Sequence, residues 1–232
     1  MDTREYEGGE LELFAHATNW KAYWSRALRE WVRGDVLEVG SGIGTNTELL
    51  CAGTRGTWTC LEPDARLSER ARAAHAHLGE RCEHLTGTLA GVAESRTFDT
   101  ILYLDVLEHI ADDRGEVARA ARHLRAGGRL VVLAPAHQAL FSPFDRAIGH
   151  HRRYDKASLR ALAPEGLALE RLFYLDSAGL AASFANRALL RQSLPTLAQV
   201  RTWDRVLVPA SRVLDRVLLR SAGKTVVGVW RR

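Results

Sequence analysis

Three glycines at alternate positions, Gly40, Gly42 and Gly44, follow the apolar run that carries Glu38, and Thr45 opens a helical pattern directly behind them. Glycine lets a chain turn sharply as it leaves a strand, and its missing side chain opens the backbone to a flat polar ligand at which helix amides can point. Ser41 lies inside that turn. Glu62 follows 18 positions after Gly44, at the end of the next apolar run and just before Pro63. An α/β nucleotide fold sets an acid at that spacing to accept two hydrogen bonds from a ribose. The chemistry this pattern could do is the holding of a nucleoside-bearing cofactor.

The elements that must position these residues alternate. "DVLEVG" (35–40), "TWTCLE" (57–62), "CEHLTG" (82–87), "FDTILYL" (98–104) and "GRLVVLA" (128–134) have strand length, and "TNTELLCAG", "ARLSERARAAHAHLG" and "DRGEVARAARHLRAGG" between them have helical patterns. Continuous apolar strands in β-α-β order predict a buried parallel sheet. Arg125 followed by Gly127-Gly128 reads as the stop of the helix that begins near Asp113. "LALERLFYL" (167–175) and "KTVVGVWRR" (224–232) bring the strands to about seven.

A chain of 232 residues with 46% hydrophobic content is enough for one sizeable core. The net charge of +4 divides unevenly, −6 over residues 1–145 and +10 over 146–232. The basic third suits a solvated arginine face, an anionic substrate, an acidic membrane surface or nucleic acid. Cys51, Cys60 and Cys82 show no CxxC spacing and no histidine at metal-ligand spacing, which predicts buried free thiols and no metal site. "MDTREYEGGELEL" lacks the positive start and apolar run of a signal peptide, and no stretch approaches the roughly 20 apolar residues of a membrane span. A cytoplasmic location is the expectation.

With these motifs in this order, residues 36–136 resemble the class I S-adenosylmethionine-dependent methyltransferases. The resemblance is carried by "LEVGSGIG", Glu62, "FDTILYLDVLEHI" and "LRAGGRLVVLAPA". It implies an α/β fold, a doubly wound seven-stranded Rossmann-like sheet with its last strand antiparallel. S-adenosyl-L-methionine would lie across the carboxyl ends of strands one to four and leave as S-adenosyl-L-homocysteine. On this resemblance Glu38 and the Gly40, Ser41, Gly42 and Gly44 backbone surround the methionine part, and Glu62 with Pro63 takes the ribose. Thr88 and Leu89 meet the adenine, although many relatives carry an acid where Thr88 stands. Leu104 and Asp105 line the methyl-transfer side, and Trp20 and Tyr23 of "NWKAYW" cap the pocket.

Methyl transfer from a sulfonium is an in-line displacement, so the protein must align the reactants and supply a general base when the acceptor is a hydroxyl. His109 and His137 are the candidate bases. Asp105 either caps the helix behind it or meets the cofactor. Residues 134–162 are too polar and glycine-broken for core and read as a lid with His137, Asp145, His150, His151, Arg152, Arg153 and Tyr154 toward the substrate. Their "PAH…L…FD…GH.RRY…L" pattern resembles a subgroup of bacterial methyltransferases. The two arginines either grip an acidic acceptor or anchor the loop to an acid such as Asp145. Residues 177–223 form a helical insertion between strands six and seven. Val206, Ala210, Val213, Leu214, Val217 and Leu218 share one face, with Arg205, Arg212, Arg216 and Arg220 on another. That amphipathic helix is expected to cover the sheet edge or acceptor pocket, with a homodimer contact or an acidic membrane surface as alternatives.

The expectation is a single domain over 1–232: an N-terminal helical cap (1–34), a cofactor-binding core (35–136), a lid and substrate region (137–166) and the helical insertion (177–223). The favoured function is methylation of a small, possibly anionic acceptor, most naturally O-methylation of a hydroxyl or carboxylate on a natural product, sugar or lipid-linked intermediate. The alternatives are an RNA or protein methyltransferase using the basic third, a cofactor-binding partner without turnover, and a nicotinamide enzyme. No nucleic-acid partner is expected, since there is no appended RNA module, no "NPPY"-type motif and little interleaving of aromatics with arginines.

Overall fold

The computed structural model describes residues 9–189 and 195–232. The first eight residues of the expected cap and residues 190–194 of the expected insertion lie outside the described residues. α1 (Gly9–Ala15) and α2 (Thr18–Leu28) lead into β1 (Val36–Val39), α3 (Thr45–Cys51), β2 (Trp58–Glu62), α4 (Ala65–Ala74), β3 (Cys82–Thr86) and β4 (Phe98–Leu104). α5 (Asp113–Arg122), β5 (Leu124–Pro135), α6 (Pro143–Ala147), α7 (Lys156–Arg160) and β6 (Ala168–Leu175) follow. The chain ends with α8 (Ser177–Leu189), α9 (Leu197–Thr202), α10 (Val208–Val217) and β7 (Thr225–Arg231). Among the described residues no helix is long and apolar enough to cross a membrane.

The sheet runs β3-β2-β1-β4-β5-β7-β6, with β7 antiparallel to both neighbours. Every residue of β1 and β2 is buried, the reason these strands read as continuous apolar runs. One core packs Trp24, Leu28 and Trp31 against Leu102, Val131 and Val229; the other packs Val117 and Leu159 against Leu37, Ile101 and Val132. Strand order reverses between β1 and β4, and in open α/β sheets ligands bind outside the carboxyl ends at such a point. The glycine turn leaves β1 there, and Asp105 leaves β4 beside it.

Two expectations are corrected. The helix that begins near Asp113 stops at Arg122, five residues before Gly127. His123 ends it early: its Nδ1 lies 2.8 Å from the Arg96 carbonyl, and its own carbonyl accepts the Phe98 amide at 2.8 Å. The chain is thereby drawn into β5 from Leu124, and Gly127, at φ +78°, sits within the irregular start of that strand.

The second correction concerns the insertion. Its apolar stripe faces solvent, with Val213 63% and Val217 73% exposed, while the inward face carries Asp204, Ser211 and Asp215. Those polar residues are buried because helix starts need acceptors: the first amides of a helix have no partner within it. Asp204 accepts from the backbone amides of Asn19 and Trp20 at the start of α2. Asp215 accepts from the amides of Asp176 and Ser177 at the start of α8 and from the Tyr23 hydroxyl. The insertion is fastened by carboxylates at helix ends rather than by the apolar stripe.

Candidate functional site

A cavity of about 820 Å³ opens over the carboxyl ends of β1 and β4. Gly40, Ser41 and Gly42 form one wall; residues of α2, the segment around α6 and the insertion close the others. Gly40 and Gly42 have φ of +68° and +55°, which side chains disfavour, so the turn depends on glycine there. The Gly42 amide donates to one Glu62 oxygen at 2.8 Å and the Asp64 amide to the other at 3.0 Å. Burial raises the Glu62 pKa, and these two amides work against that rise. Among the described residues the buried Ser41 hydroxyl has no partner, and a Cβ added to Gly42 would meet only the Leu11 side chain. An orphaned hydroxyl, a glycine backbone bordered by a single leucine side chain and an acid at the next strand end fit a nucleoside-bearing cofactor such as S-adenosylmethionine.

Of the expected residues, Trp20, Leu104, Asp105, His109, Asp145, His150 and Arg153 join this glycine wall around the cavity. Others stand elsewhere. The Tyr23 hydroxyl is turned to Asp215 at 2.7 Å. Glu38 is buried beneath the turn, where one oxygen accepts from Thr47 at 2.7 Å and from the Trp58 indole at 2.9 Å. Burial pushes its carboxyl up to about 7 against those two hydrogen bonds, and it ties β1 to α3 and β2. Pro63 is exposed, Thr88 half-buried and Leu89 buried, outside the cavity's lining. Gly44 turns its carbonyl to His75 at 3.0 Å.

His137 also lies outside the lining. Its Nε2 is 2.9 Å from the Gly223 carbonyl and its ring stacks on Tyr174. His151 is exposed; Arg152 pairs with Asp113 at 2.8 Å and donates to the Ile110 and Ala111 carbonyls, and the buried Tyr154 hydroxyl donates to Asp113. Arg153 makes a two-pronged contact with Asp145, at 2.8 and 2.9 Å. Burial alone would raise the Asp145 pKa, but hydrogen bonds from His150, Arg153 and Ser142 hold it well below the usual carboxylate range. One buried carboxylate thus gathers the segment around α6.

The cavity floor carries a second carboxyl group. Asp105, at φ +56°, faces the cavity as the chain leaves β4 and makes no cap for the turn behind it, so the helix-cap reading of this residue is set aside. Although Asp105 is exposed to the cavity, desolvation by the surrounding walls pushes its carboxyl up to about 7, with Lys224 opposing. Glu108 is fully buried, with His150 Nε2 3.8 Å from one oxygen and no side-chain hydrogen-bond partner on either among the described residues, and burial together with the charge of Asp105 drives its pKa far upward. Two such carboxyls do not both ionise near neutrality. His109 is pushed down to about 3, first by burial and then by His150 and His151, so its imidazole is neutral at pH 7. Glu108, His109 and His150 each offer an atom within 4.8 Å of the others and could hold a metal.

Sequence reasoning missed several cavity residues. Glu108 sits within the quoted "VLEHI", and Lys21 sits within "NWKAYW", its amine 2.6 Å from the Thr45 hydroxyl. Lys224 and Asp176 come from strand ends remote in sequence and carry no local signal. Of the thiols expected to be buried and free, Cys51 and Cys60 are buried and Cys82 is half-buried, and histidines do stand beside them: Cys82 Sγ lies 3.5 Å from His84 Nε2 and 3.8 Å from His75 Nδ1.

Residues 37–130 match a protein family described as a methyltransferase domain. Among curated proteins, the chain is similar to the demethylmenaquinone methyltransferase of Tropheryma whipplei (strain Twist), 30% identical over 146 residues, or 61% of this chain and 59% of that protein. The chain therefore spans less than two thirds of the relative's length. Among solved structures it resembles the N-methyltransferase NodS from Bradyrhizobium japonicum WM9 in complex with S-adenosyl-L-homocysteine, with a TM-score of 0.61, 16% identity and coverage of 98% of this chain and 97% of that one. It also resembles the mitomycin 7-O-methyltransferase MmcR, with a TM-score of 0.60, 17% identity and coverage of 97% and 58%.

Proposed function

We propose, from the premise that residues 37–130 are a class I S-adenosylmethionine-dependent methyltransferase domain, that the whole protein methylates a small, largely apolar acceptor at a hydroxyl or carboxylate oxygen. The observation that carries this reading is the cavity: a space of about 820 Å³ beside the glycine turn, rather than an open basic groove. Phe14, Trp20, Trp24 and Trp203 give it an aromatic wall, while Asp105, Glu108, His109 and Lys224 converge on its floor. Such a site suits an apolar body with one reactive polar group. The methyltransferases it resembles include one named for demethylmenaquinone and one named for mitomycin 7-O-methylation, both small-molecule acceptors.

When bound, the cofactor supplies an electrophilic methyl group. Glu62 would hold its ribose, the Gly40–Gly42 backbone and Ser41 its methionine part, and Lys21, the cation facing that turn, its carboxylate. Asp105 takes the acceptor's proton, since a base with a pKa close to the working pH is the most effective. Glu108 keeps the pair's remaining proton, and the aromatic wall excludes water. The exposed stripe of Val206, Val213 and Val217, flanked by Arg205 and Arg216, offers a face to a second copy or an anionic bilayer that delivers a lipid-linked acceptor.

Calorimetric titration with S-adenosylhomocysteine and, separately, NADH tests the cofactor. The expected result is binding of the former alone, weakened at least tenfold, about 1.4 kcal/mol, by Glu62→Ala. A methyl-transfer screen of hydroxylated apolar compounds beside bulk RNA tests the acceptor class. Turnover on RNA alone would overturn this reading.

A further inference from the structure

Behind the glycine turn, the sheet and the end of α4 assemble four side chains to which the proposed reaction gives no role. Cys60 of β2 is in register with His84 of β3, and alternate residues of a strand share a face, so Cys60, Cys82 and His84 stand together. α4 ends beside them, and its C-terminal capping residue His75 turns its ring into the same space. The two sulfurs are 3.7 Å apart; His75 Nδ1 and His84 Nε2 are 3.2 Å apart; Cys82 Sγ is 3.5 Å and 3.8 Å from His84 Nε2 and His75 Nδ1. All four atoms lie within 4.8 Å of one another.

We propose that Cys60, His75, Cys82 and His84 bind one zinc ion, which fixes the cofactor-binding glycine turn from behind. Zinc bonds of about 2.3 Å to sulfur and about 2.05 Å to nitrogen in a tetrahedron require edges of about 3.8 Å (S to S), 3.3 Å (N to N) and 3.6 Å (S to N). The four edges given above match these within about 0.2 Å. The second nitrogen of His75 is also accounted for. His75 Nε2 lies 3.0 Å from the Gly44 carbonyl, an acceptor only, so Nε2 carries the proton and Nδ1 presents its lone pair to the other three groups. A carbonyl fixing the far side of a ligating imidazole is the usual support for a bound metal.

Two thiolates and two imidazoles select zinc over magnesium or calcium, and four protein ligands, with Cys60 (1% exposed), His75 (3%) and His84 (6%) buried and Cys82 half-buried at the edge, make the site structural. On binding, two S–H bonds break, two zinc–sulfur bonds form and both protons go to solvent, while the imidazoles bind as neutral bases. The link to the turn is direct: the His75 ring occupies the place a side chain on Gly44 would need, and its N–H holds the Gly44 carbonyl. Thr47, hydrogen-bonded to Glu38, touches Cys60 Sγ at 3.5 Å and joins the quartet to the floor of the turn. The proposal does not depend on which acceptor is methylated.

The test uses the full chain, reduced and stripped with a chelator, then titrated with Co²⁺ alone and back-titrated with Zn²⁺. One equivalent of Co²⁺ should produce a thiolate-to-metal charge-transfer band and tetrahedral ligand-field absorption, both removed by Zn²⁺. Cys82→Ser and His84→Gln should each weaken binding at least tenfold, whereas Cys51→Ser, outside the quartet, should bind as the wild type does. Should the ligand variants fail to fold, thiol mapping on the wild type replaces them: Zn²⁺ should protect Cys60 and Cys82 from alkylation and leave Cys51 unchanged. Absent cobalt bands with alkylation indifferent to zinc would overturn the proposal, as would a Cys60–Cys82 disulfide whose reduction restores no metal uptake.

Discussion

Asp105 and Glu108 are three positions apart on the turn that leaves β4; Asp105 is exposed to the cavity and Glu108 is fully buried, and desolvation by the cavity walls raises both, Glu108 the further. The base must be deprotonated to work, so kcat on a hydroxyl acceptor should rise with pH through an apparent value of about 7. Asp105→Asn should lower kcat by about 10²–10⁴-fold and flatten that limb. An unchanged pH–rate profile in the variant would assign the proton transfer to another group. Asp145 makes the opposite case. Its folded pKa is depressed, so its contribution to stability is present above the unfolded value of about 3.9 and is lost as pH falls through the folded value. Asp145→Asn should cost about 3–5 kcal/mol at pH 7, because Arg153 is left buried without its partner. The difference from wild type should shrink in urea unfolding at pH 3. Asp105 and Asp145 were both legible as candidates from their motifs. Their division of labour was not, since it depends on which guanidinium, imidazole or amine the fold brings to each.

At the scale of elements, the insertion shows how pattern can mislead. Helical spacing in residues 205–220 separates an apolar face from a basic one, and the natural expectation buries the apolar face. Asp204, Ser211 and Asp215 reverse this by meeting the unpaired amides at the starts of α2 and α8. Asp215→Ala should therefore destabilise the fold by about 3 kcal/mol, combining a lost cap with buried donors left unpaired. Val213→Ser, on the exposed stripe, should stay within about 0.5 kcal/mol of wild type in the same denaturation experiment. Equal losses in the two variants would mean that the stripe is covered in solution. The strands and the first βα turn were legible because burial on both faces and the need for positive φ constrain residue type locally. The end of α5 was not, because His123 stops it through contacts to Arg96 and Phe98, more than 20 residues away.

For the whole molecule, the glycine turn lines the cavity at the switch point of the sheet, and Glu62, outside that lining, is joined to it through the Gly42 amide. A ligand bound only by the folded state stabilises it by mass action. S-adenosylhomocysteine at 100 times its Kd should add about 2.7 kcal/mol to unfolding free energy in wild type, and clearly less at the same concentration in Glu62→Ala. An equal gain in both would remove Glu62 from the binding site. The sequence by itself determined the α/β class, about seven strands and the turn at which a cofactor fits, because each of these is written in local periodicity or in residues that only one backbone conformation suits; the antiparallel last strand followed only from the resemblance to a known family. The tertiary structure alone decided which side chains share a space. Strand register set Cys60 beside His84, the antiparallel run of β7 on the far side of β5 from β4 brought Lys224 to the same sheet end as Asp105, and the capping of α8 buried Asp215. Such neighbours are separated by tens of residues, and no local spacing encodes a distance that only packing creates.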